Sequence, residues 1–410
     1  MIKLYLILND IIVPVLVGFL TTSLFLVGDM TSYLVYSFLL VAFSFLKGFY
    51  NNYYSIHFSE KLRISFITGT TLIFFQLIYY SLNDIYINIA VFFSWILIAI
   101  LILVIRYIFK KINYSTNNVT ISIIGNLYKF SDHEIKILTN KQFIVYFYDN
   151  LEKYLEKIDS ESDIHNLAVI NMPATGFQKN KSLSTVNTIS LTQFMENYLR
   201  KIYIDDKDTY ININKYDKTD FIIKRLIDYV AVLVLMPLLI FVSLYMVIMK
   251  LIKGYRGSFI FIQKRHGLNQ NAFSLFKLRT MHIDSDSQGN TVKNDKRVYL
   301  FAKFVRKFRL DELPQIINIF FGDMHLVGPR PEWTKLSDMY ADNIDNYELR
   351  NIVRPGITGW AQVLYQYGFD VDDSKQKLMY ELYYIKNWTI WLELEICIKT
   401  ITVILDKKGF

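Results

Sequence analysis

The chain has 410 residues, 52% of them hydrophobic, and a single cysteine, Cys397. One thiol excludes a disulfide framework and a cysteine-built metal site. The net charge of +8 suits anionic lipid head groups or phosphorylated substrates; in so apolar a chain it does not point to nucleic acid, which is not expected as a partner.

Four apolar stretches fill the first quarter, at residues 11–27, 33–49, 64–80 and 85–105. Each is near the length a helix needs to cross ~30 Å of hydrocarbon. The short gaps at 28–30 and 82–84 hold no Lys or Arg. The other flanks carry Lys3, then Lys47, Lys61 and Arg63, then Arg106, Lys110 and Lys111. The positive-inside rule then predicts a four-span transmembrane domain over residues 1–111 with both ends in the cytoplasm. A cleaved signal peptide is the alternative for the first stretch. No small-residue cleavage site follows it, and three further apolar stretches do.

Residues 112–220 are polar and rich in Asn and Lys. Runs at 119–124, 143–147 and 167–170 read as strands, and 151–158 and 191–202 as helices. This alternation predicts a small Rossmann-like α/β module with a parallel sheet. The first strand ends at Gly125, but no G-x-G-x-x-G fingerprint follows. A packed module without ligand is the plainer reading; regulation, dimer formation and nucleotide sensing stay open.

Residues 229–249 form a nearly unbroken apolar run, preceded by Lys224 and Arg225 and followed by Lys250, Lys253 and Arg256. A spanning helix carries its cations mainly on one side. Cations at both ends predict that both ends share the cytoplasmic face. Pro237, near the centre, removes a backbone hydrogen bond and kinks a helix. The expectation is a re-entrant membrane helix over about 224–252, broken at Pro237, with a fifth spanning helix as the alternative.

Runs at 258–262 and 273–276 read as two strands joined through His266-Gly267-Leu268-Asn269, leading to Lys277-Leu278-Arg279-Thr280-Met281. A basic amphipathic helix is expected around 304–308, with Arg306 and Arg309 just before Asp311 and Glu312. These carboxylates open an apolar helix over 313–321, whose first turn tolerates Pro314. Neighbouring helix residues point in different directions, so the two carboxylates are expected to hold different roles. At a helix N-terminus a carboxylate stays ionised, which suits a nucleophile or a metal ligand. Mg²⁺ needs only one or two carboxylates alongside substrate phosphates. Arg330 and Arg354 each precede a proline that limits the local backbone, and arginines of this kind neutralise phosphate charge. For Asp-Glu before an apolar run, plain helix capping is the alternative.

The motifs together resemble the bacterial polyprenyl-phosphate hexose-1-phosphate transferases, the sugar transferases that prime capsule and exopolysaccharide synthesis. The resemblance runs from Lys224 to about Leu405. It rests on Lys224-Arg225-x-x-Asp228, Lys277-Leu-Arg-Thr-Met281, Leu310-Asp-Glu-Leu-Pro-Gln315, Gly322-Asp-Met324, Gly328-Pro-Arg-Pro331, Arg354-Pro-Gly-Ile-Thr-Gly-Trp-Ala-Gln-Val363 and Tyr383-Tyr-Ile-Lys-Asn-Trp388. The four spans and the α/β module resemble the long-form members in organisation. The resemblance implies transfer of a sugar 1-phosphate from a UDP-sugar to undecaprenyl phosphate, releasing UMP, at the first membrane-committed step of exopolysaccharide, capsule or O-antigen synthesis. It implies Asp311 as the nucleophile that forms an aspartyl phosphosugar and Glu312 as the Mg²⁺ ligand. Lys277, Arg279, Arg306, Arg330, Arg354 and Gln362 are the expected substrate- and phosphate-binding residues. It further implies a homodimer in the bacterial cytoplasmic membrane, with the catalytic domain (221–410) facing the cytoplasm.

This chain departs from many members in having Met236 where they have Ser before the proline, and Phe308-Arg309 where they have Thr-Ser. The segment from Trp388 to about Leu405 is too charged to span; it is expected to be an amphipathic helix, at the interface or on the catalytic core. A transporter of lipid-linked sugars would need more spanning helices with polar residues inside them. A non-catalytic scaffold would have no use for intact Asp311, Glu312, Lys277 and Arg330. A later-acting glycosyltransferase would need a larger nucleotide-sugar domain than the residues after 254 supply.

Overall fold

The computed structural model describes residues 10–17, 34, 41, 98, 101, 119–140, 143–160, 167–172, 187–204, 213, 216–254, 257–282, 297–365 and 370–405. Apart from the helical residues 10–17 and four single positions, the four expected spans lie outside the described residues. The chain divides into two compact units, Met1–Ser190 and Leu191–Phe410.

In the first unit, β1 (Val119–Ile124) lies between β2 (Phe143–Tyr148) and β3 (Leu167–Ile170), and β4 (Thr188–Ser190) extends the sheet in the order β2-β1-β3-β4. All three pairings are parallel, as expected. β1 is central because it is apolar on both faces: Ile121, Ile123 and Ile124 are fully buried. Helix α1 (Asp132–Asn140) follows β1, and α2 (Leu151–Ser160) follows β2. Tyr154 of α2 packs on Ile124 and Ala168. Gly125 has a local structural reason: its φ is +101°, and a Cβ there would stand 2.4 Å from the Asn171 carbonyl oxygen.

The second unit starts at Leu191, ahead of the boundary expected at 220/221. The helix expected over 191–202 ends at Leu199, because Arg200 turns left-handed at φ 57°. The following residues pack with the second unit. The Ile202 amide donates to the Met379 carbonyl at 2.9 Å, and the Trp360 indole donates to the Arg200 carbonyl at 3.0 Å.

Helix α3 (Lys218–Lys253) begins where Asp217 accepts from the Asp220 amide and ends at left-handed Gly254. At 1.5 Å per residue its 36 residues run about 54 Å. It is long and apolar enough to cross a membrane, which fits a membrane-associated α/β protein. The helix does not end at Pro237; helical residues continue on both sides. Lys224, Asp228, Val232, Leu239, Val242, Met246 and Lys250 are buried, a single stripe at helical spacing. The other face presents Leu233, Phe241 and Leu251, each more than 70% exposed.

The stripe packs on the elements that follow. β5 (Ile260–His266) and β6 (Ala272–Leu278) form the expected antiparallel hairpin, with Ile260 opposite Leu278. Next come α4 (Lys303–Lys307), a 3-10 turn at Leu310–Glu312 and α5 (Gln315–Phe321). β7 (His325–Val327) pairs in parallel with β8 (Gly356–Thr358), and α6 (Thr334–Asn343) lies between them in sequence. Helices α7 (Trp360–Leu364), α8 (Val371–Lys386) and α9 (Ile390–Leu405) close the unit. Val232 and Leu239 share a core with Leu275, Ile316 and Ile319; Val242 and Met246 share one with Leu278, Tyr299 and Val305. Met236 packs on the first of these cores. Helix α9 buries Leu392 and Ile396 on the core and exposes Ile401 and Leu405, so one helix is both packed and apolar outward.

The Lys224-Arg225-x-x-Asp228 motif docks α3. Lys224 pairs with Glu393 of α9 and donates to the Val327 carbonyl at 3.0 Å. Arg225 donates to the last carbonyls of α5, Ile319 and Phe320. Asp228 takes the His325 imidazole Nδ1 at 2.6 Å and the Leu326 amide at 2.8 Å. Burial, reinforced by Lys224 and countered by Asp228, pushes His325 from 6.5 down to about 4. The unfolded chain therefore binds one more proton between those values, so this contribution is present above pH ~6.5 and is lost as pH falls to ~4. It amounts to as much as ~3 kcal/mol. The expected outcome is a thermal midpoint that falls between pH 7.5 and pH 5 in the detergent-solubilised chain, with a shallower fall in His325→Gln; equal falls in both would assign the effect to other groups.

Candidate active site

The two carboxylates sit in the 3-10 turn Leu310–Glu312, two residues ahead of α5, and not in the helix as expected. Arg309 opens the turn in the left-handed region at φ 54°. A 3-10 turn closes every three residues, so successive side chains diverge. Glu312 is buried and Asp311 is half-buried.

Glu312 is the centre of the cluster. Its Oε1 accepts from Lys277 Nζ at 3.0 Å and from Arg330 Nη2 at 3.1 Å. Lys277 comes from β6 and Arg330 from the loop after β7. Burial alone would push the Glu312 carboxyl up, but Lys277 and Arg330 outweigh it and hold it well below the usual carboxylate range. Asp311 behaves oppositely. Burial, then the Glu312 charge beside it, raise its carboxyl, with Lys277 and Arg306 acting against them. The expectation that both stay ionised is not met: the two carboxyls shift in opposite directions, and a proton taken up by the pair resides on Asp311. Burial lowers Lys277 despite Glu312, while the Glu312 charge raises Arg330.

Supporting contacts hold these cations in place. Arg306 of α4 donates to Thr280 Oγ1 at 3.1 Å, joining two of the sequence motifs. Buried Asn318 ties α5 to β6, donating to the Ser274 carbonyl at 2.8 Å and accepting from the Phe276 amide at 3.2 Å, beside Lys277. The main chain of Arg330 is clamped from both sides. Its amide donates to Glu381 Oε1 at 3.2 Å, and its carbonyl accepts from Arg350 Nη2 at 2.7 Å. Arg350 and Glu381 are themselves a buried pair at 2.8 Å. Behind the clamp, Gly356 lies so near Gly328 that a Cβ would stand 2.1 Å from the Gly328 nitrogen.

Arg265 completes the cationic wall. It contacts the Pro331 carbonyl at 3.2 Å and Glu332 at 3.8 Å. Burial and neighbouring Arg330 push its guanidinium down to about 10, against the pull of Glu332 and Glu312. Neither Arg265, Arg350 nor Glu381 was among the expected site residues. Asn318 carried a local signal, as the one polar residue in the run Ile316–Phe321.

The expected residues divide. Asp311, Glu312, Lys277, Arg306 and Arg330 come together. Arg279 turns to the Ser258 carbonyl at 3.1 Å and the Phe261 ring. Arg354 stands over the Phe221 ring at 5.0 Å, and Gln362 donates to the Ile357 carbonyl at 3.1 Å in the β8–α7 turn.

Residues 219–407 match the family model described as bacterial sugar transferase. The chain is 42% identical over 190 residues to a UDP-N-acetylgalactosamine-undecaprenyl-phosphate N-acetylgalactosaminephosphotransferase of Aeromonas hydrophila, covering 46% of this chain and 44% of that one. It is 40% identical over 161 residues to a UDP-glucose:undecaprenyl-phosphate glucose-1-phosphate transferase of Xanthomonas campestris pv. campestris, covering 37% and 32%. The chain thus spans less than half the length of these two relatives. An uncharacterised sugar transferase of Bacillus subtilis is 34% identical over 189 residues, 46% of this chain and 90% of that protein. The cluster around Glu312 lies within the residues that match the family model, and the chain belongs to the bacterial sugar transferase family.

Proposed function

We propose that the chain transfers a sugar 1-phosphate from a UDP-sugar to undecaprenyl phosphate through a covalent intermediate on Asp311. The observation that carries this reading is the pair of adjacent carboxylates with different surroundings: Glu312 neutralised by Lys277 and Arg330, and Asp311 without such a bridge among the described residues yet facing the field of Lys277 and Arg306. The names of the Aeromonas and Xanthomonas relatives support the reaction type and the two substrates.

In the first step an Asp311 carboxylate oxygen attacks the phosphorus that bears the sugar. The bond from that phosphorus to the UMP oxygen breaks, and UMP leaves with the electron pair. In the second, an oxygen of the lipid phosphate attacks the same phosphorus and expels the Asp311 carboxylate unchanged. Two displacements on one nucleophile let UMP depart before the lipid phosphate arrives. Lys277, Arg306 and Arg330 would neutralise the charge gathering on the transferred phosphoryl group.

The donor set fits Mg²⁺. Among the described residues no three His, Cys, Asp or Glu side chains stand together as a cage. Mg²⁺ is commonly held by one or two carboxylates, with water and substrate phosphates completing six ligands. Glu312, beside Asp311, would hold it; when bound, the ion would neutralise the diphosphate.

We further infer that α3 is re-entrant. Support comes from both halves of the helix: ahead of Pro237, Lys224 donates to the Val327 carbonyl, and past it Tyr245 donates to the Phe301 carbonyl at 3.2 Å while Met246 packs on Leu278 and Tyr299. A helix whose two halves both pack on one polar unit cannot place its ends on opposite sides of a bilayer without drawing that unit through it. The multi-pass N-terminal domain, the Rossmann-like identity of the α/β module, the cytoplasmic facing, the homodimer and the role in exopolysaccharide, capsule or O-antigen priming are carried over from the sequence.

The test is UMP release from a panel of UDP-sugars by purified membranes. Asp311→Asn is expected to lower release at least about a thousandfold, and Glu312→Gln about a hundredfold. Unchanged release in Asp311→Asn removes it as the nucleophile. Breaking the clamp with Arg350→Lys is expected to reduce kcat about tenfold with the KM for the UDP-sugar within about twofold; a change confined to KM would show that Arg330 serves binding alone.

A further inference from the structure

A cavity of about 450 Å³ opens beside the first turns of α3, lined by Phe221, Ile222, Leu268, Ile352, His325 and Arg354, among others. That volume is in the range of small-molecule sites. Neither Asp311 nor Glu312 lines it. Its walls are largely apolar, and its cations are Arg354 and Lys218. Arg354 makes no hydrogen bond or ion pair among the described residues; its guanidinium rests on the Phe221 ring at 5.0 Å. The one carboxylate in the lining, Asp217, is engaged in capping α3 through the Asp220 amide at 2.7 Å. His325 is tied to Asp228 through Nδ1. An arginine fork with open donors is thus held at an apolar cavity.

From the cavity an apolar track leads along α3. Ile222, Leu226, Val230 and Leu233 recur at helical spacing, and each is more than half exposed. Cation, cavity and track together suit an amphiphile with an anionic head and a long hydrocarbon tail. We propose that this is a capture site for a long-chain isoprenoid phosphate, with the phosphate at Arg354 and Lys218 and the chain along the track. A phosphate monoester carries about −1.5 to −2 at neutral pH. Two cations match that charge better than the single charge of a phospholipid diester. The inference rests on the proposed acceptor and gives it a place to dock before it reaches the carboxylates. β8 connects the two sites: Arg354 lies two residues before Gly356, whose amide donates to the Pro329 carbonyl at 2.9 Å, next to Arg330.

The test is direct binding to the full chain in detergent micelles, so that it does not depend on turnover. Farnesyl phosphate, a soluble fifteen-carbon isoprenoid monoester, is titrated into wild type, Arg354→Ala and Ile222→Asp, with farnesol and inorganic phosphate as single-feature probes. The expected result is binding at least tenfold weaker in each variant, and at least tenfold weaker in wild type for either single-feature probe. A tenfold change corresponds to ~1.4 kcal/mol, the scale of one charge-assisted hydrogen bond. Unchanged binding in both variants overturns the site. Displacement of farnesyl phosphate by an equal amount of phosphatidylglycerol assigns the cavity to bilayer head groups and overturns the monoester. Displacement by UMP assigns it to the nucleotide and overturns the lipid. Failure of the wild type to release UMP from any UDP-sugar would sink the proposed transfer while leaving this binding result to stand or fall separately.

Discussion

A buried carboxylate cannot stand alone. Glu312 is nearly sealed from water, and a charge so placed costs several kcal/mol unless paired. Its partners come from 35 residues before it and 18 after it, Lys277 on β6 and Arg330 beyond β7. The second unit is organised around bringing those two cations to one oxygen. Asn318 fastens α5 to β6 so that Lys277 is in register with the turn. Glu381 and Arg350 fix the main chain of Arg330. The glycine contact between Gly328 and Gly356 lets β7 and β8 approach closely enough to carry it.

The same balance explains why adjacent carboxylates can differ. Both are removed from water, but only Glu312 receives direct cation contacts. Asp311 experiences the desolvation and its neighbour's negative charge, so its proton is held more tightly. A second anion, such as a phosphate with its counter-ion, changes this field.

The apolar helix α3 is part of the catalytic core. Val232 and Leu239 pack on Ile316 and Ile319 of α5, directly after the carboxylate turn. Lys224 and Asp228 reach β7 and α9 through buried polar contacts. One stripe of this helix holds the enzyme core, and the opposite face is apolar and exposed. For the proposed reaction between a water-soluble nucleotide sugar and a lipid-borne phosphate, that connection would set where the two phases meet.

Much of this was legible in the sequence. The β1 run Val119–Ile124, the parallel alternation, the hairpin around Gly267 and the apolar span of α3 all follow from local periodicity and turn chemistry. The resemblance of ordered motifs also pointed to Lys277, Arg306 and Arg330, though as phosphate-binding residues and not as partners of Glu312. Local spacing reports which face of an element is buried; it does not report which distant residue faces it. Tertiary structure alone therefore decided that Arg279, Arg354 and Gln362 turn elsewhere, that Arg350 and Glu381 brace Arg330, and that residues 191–204 belong to the catalytic unit. It also replaced the expected helix start with a 3-10 turn, since tertiary context overrides the intrinsic preference of a short segment. The sequence by itself determined the elements and the chemistry available. The long-range pairing of a buried charge determined which of those residues meet.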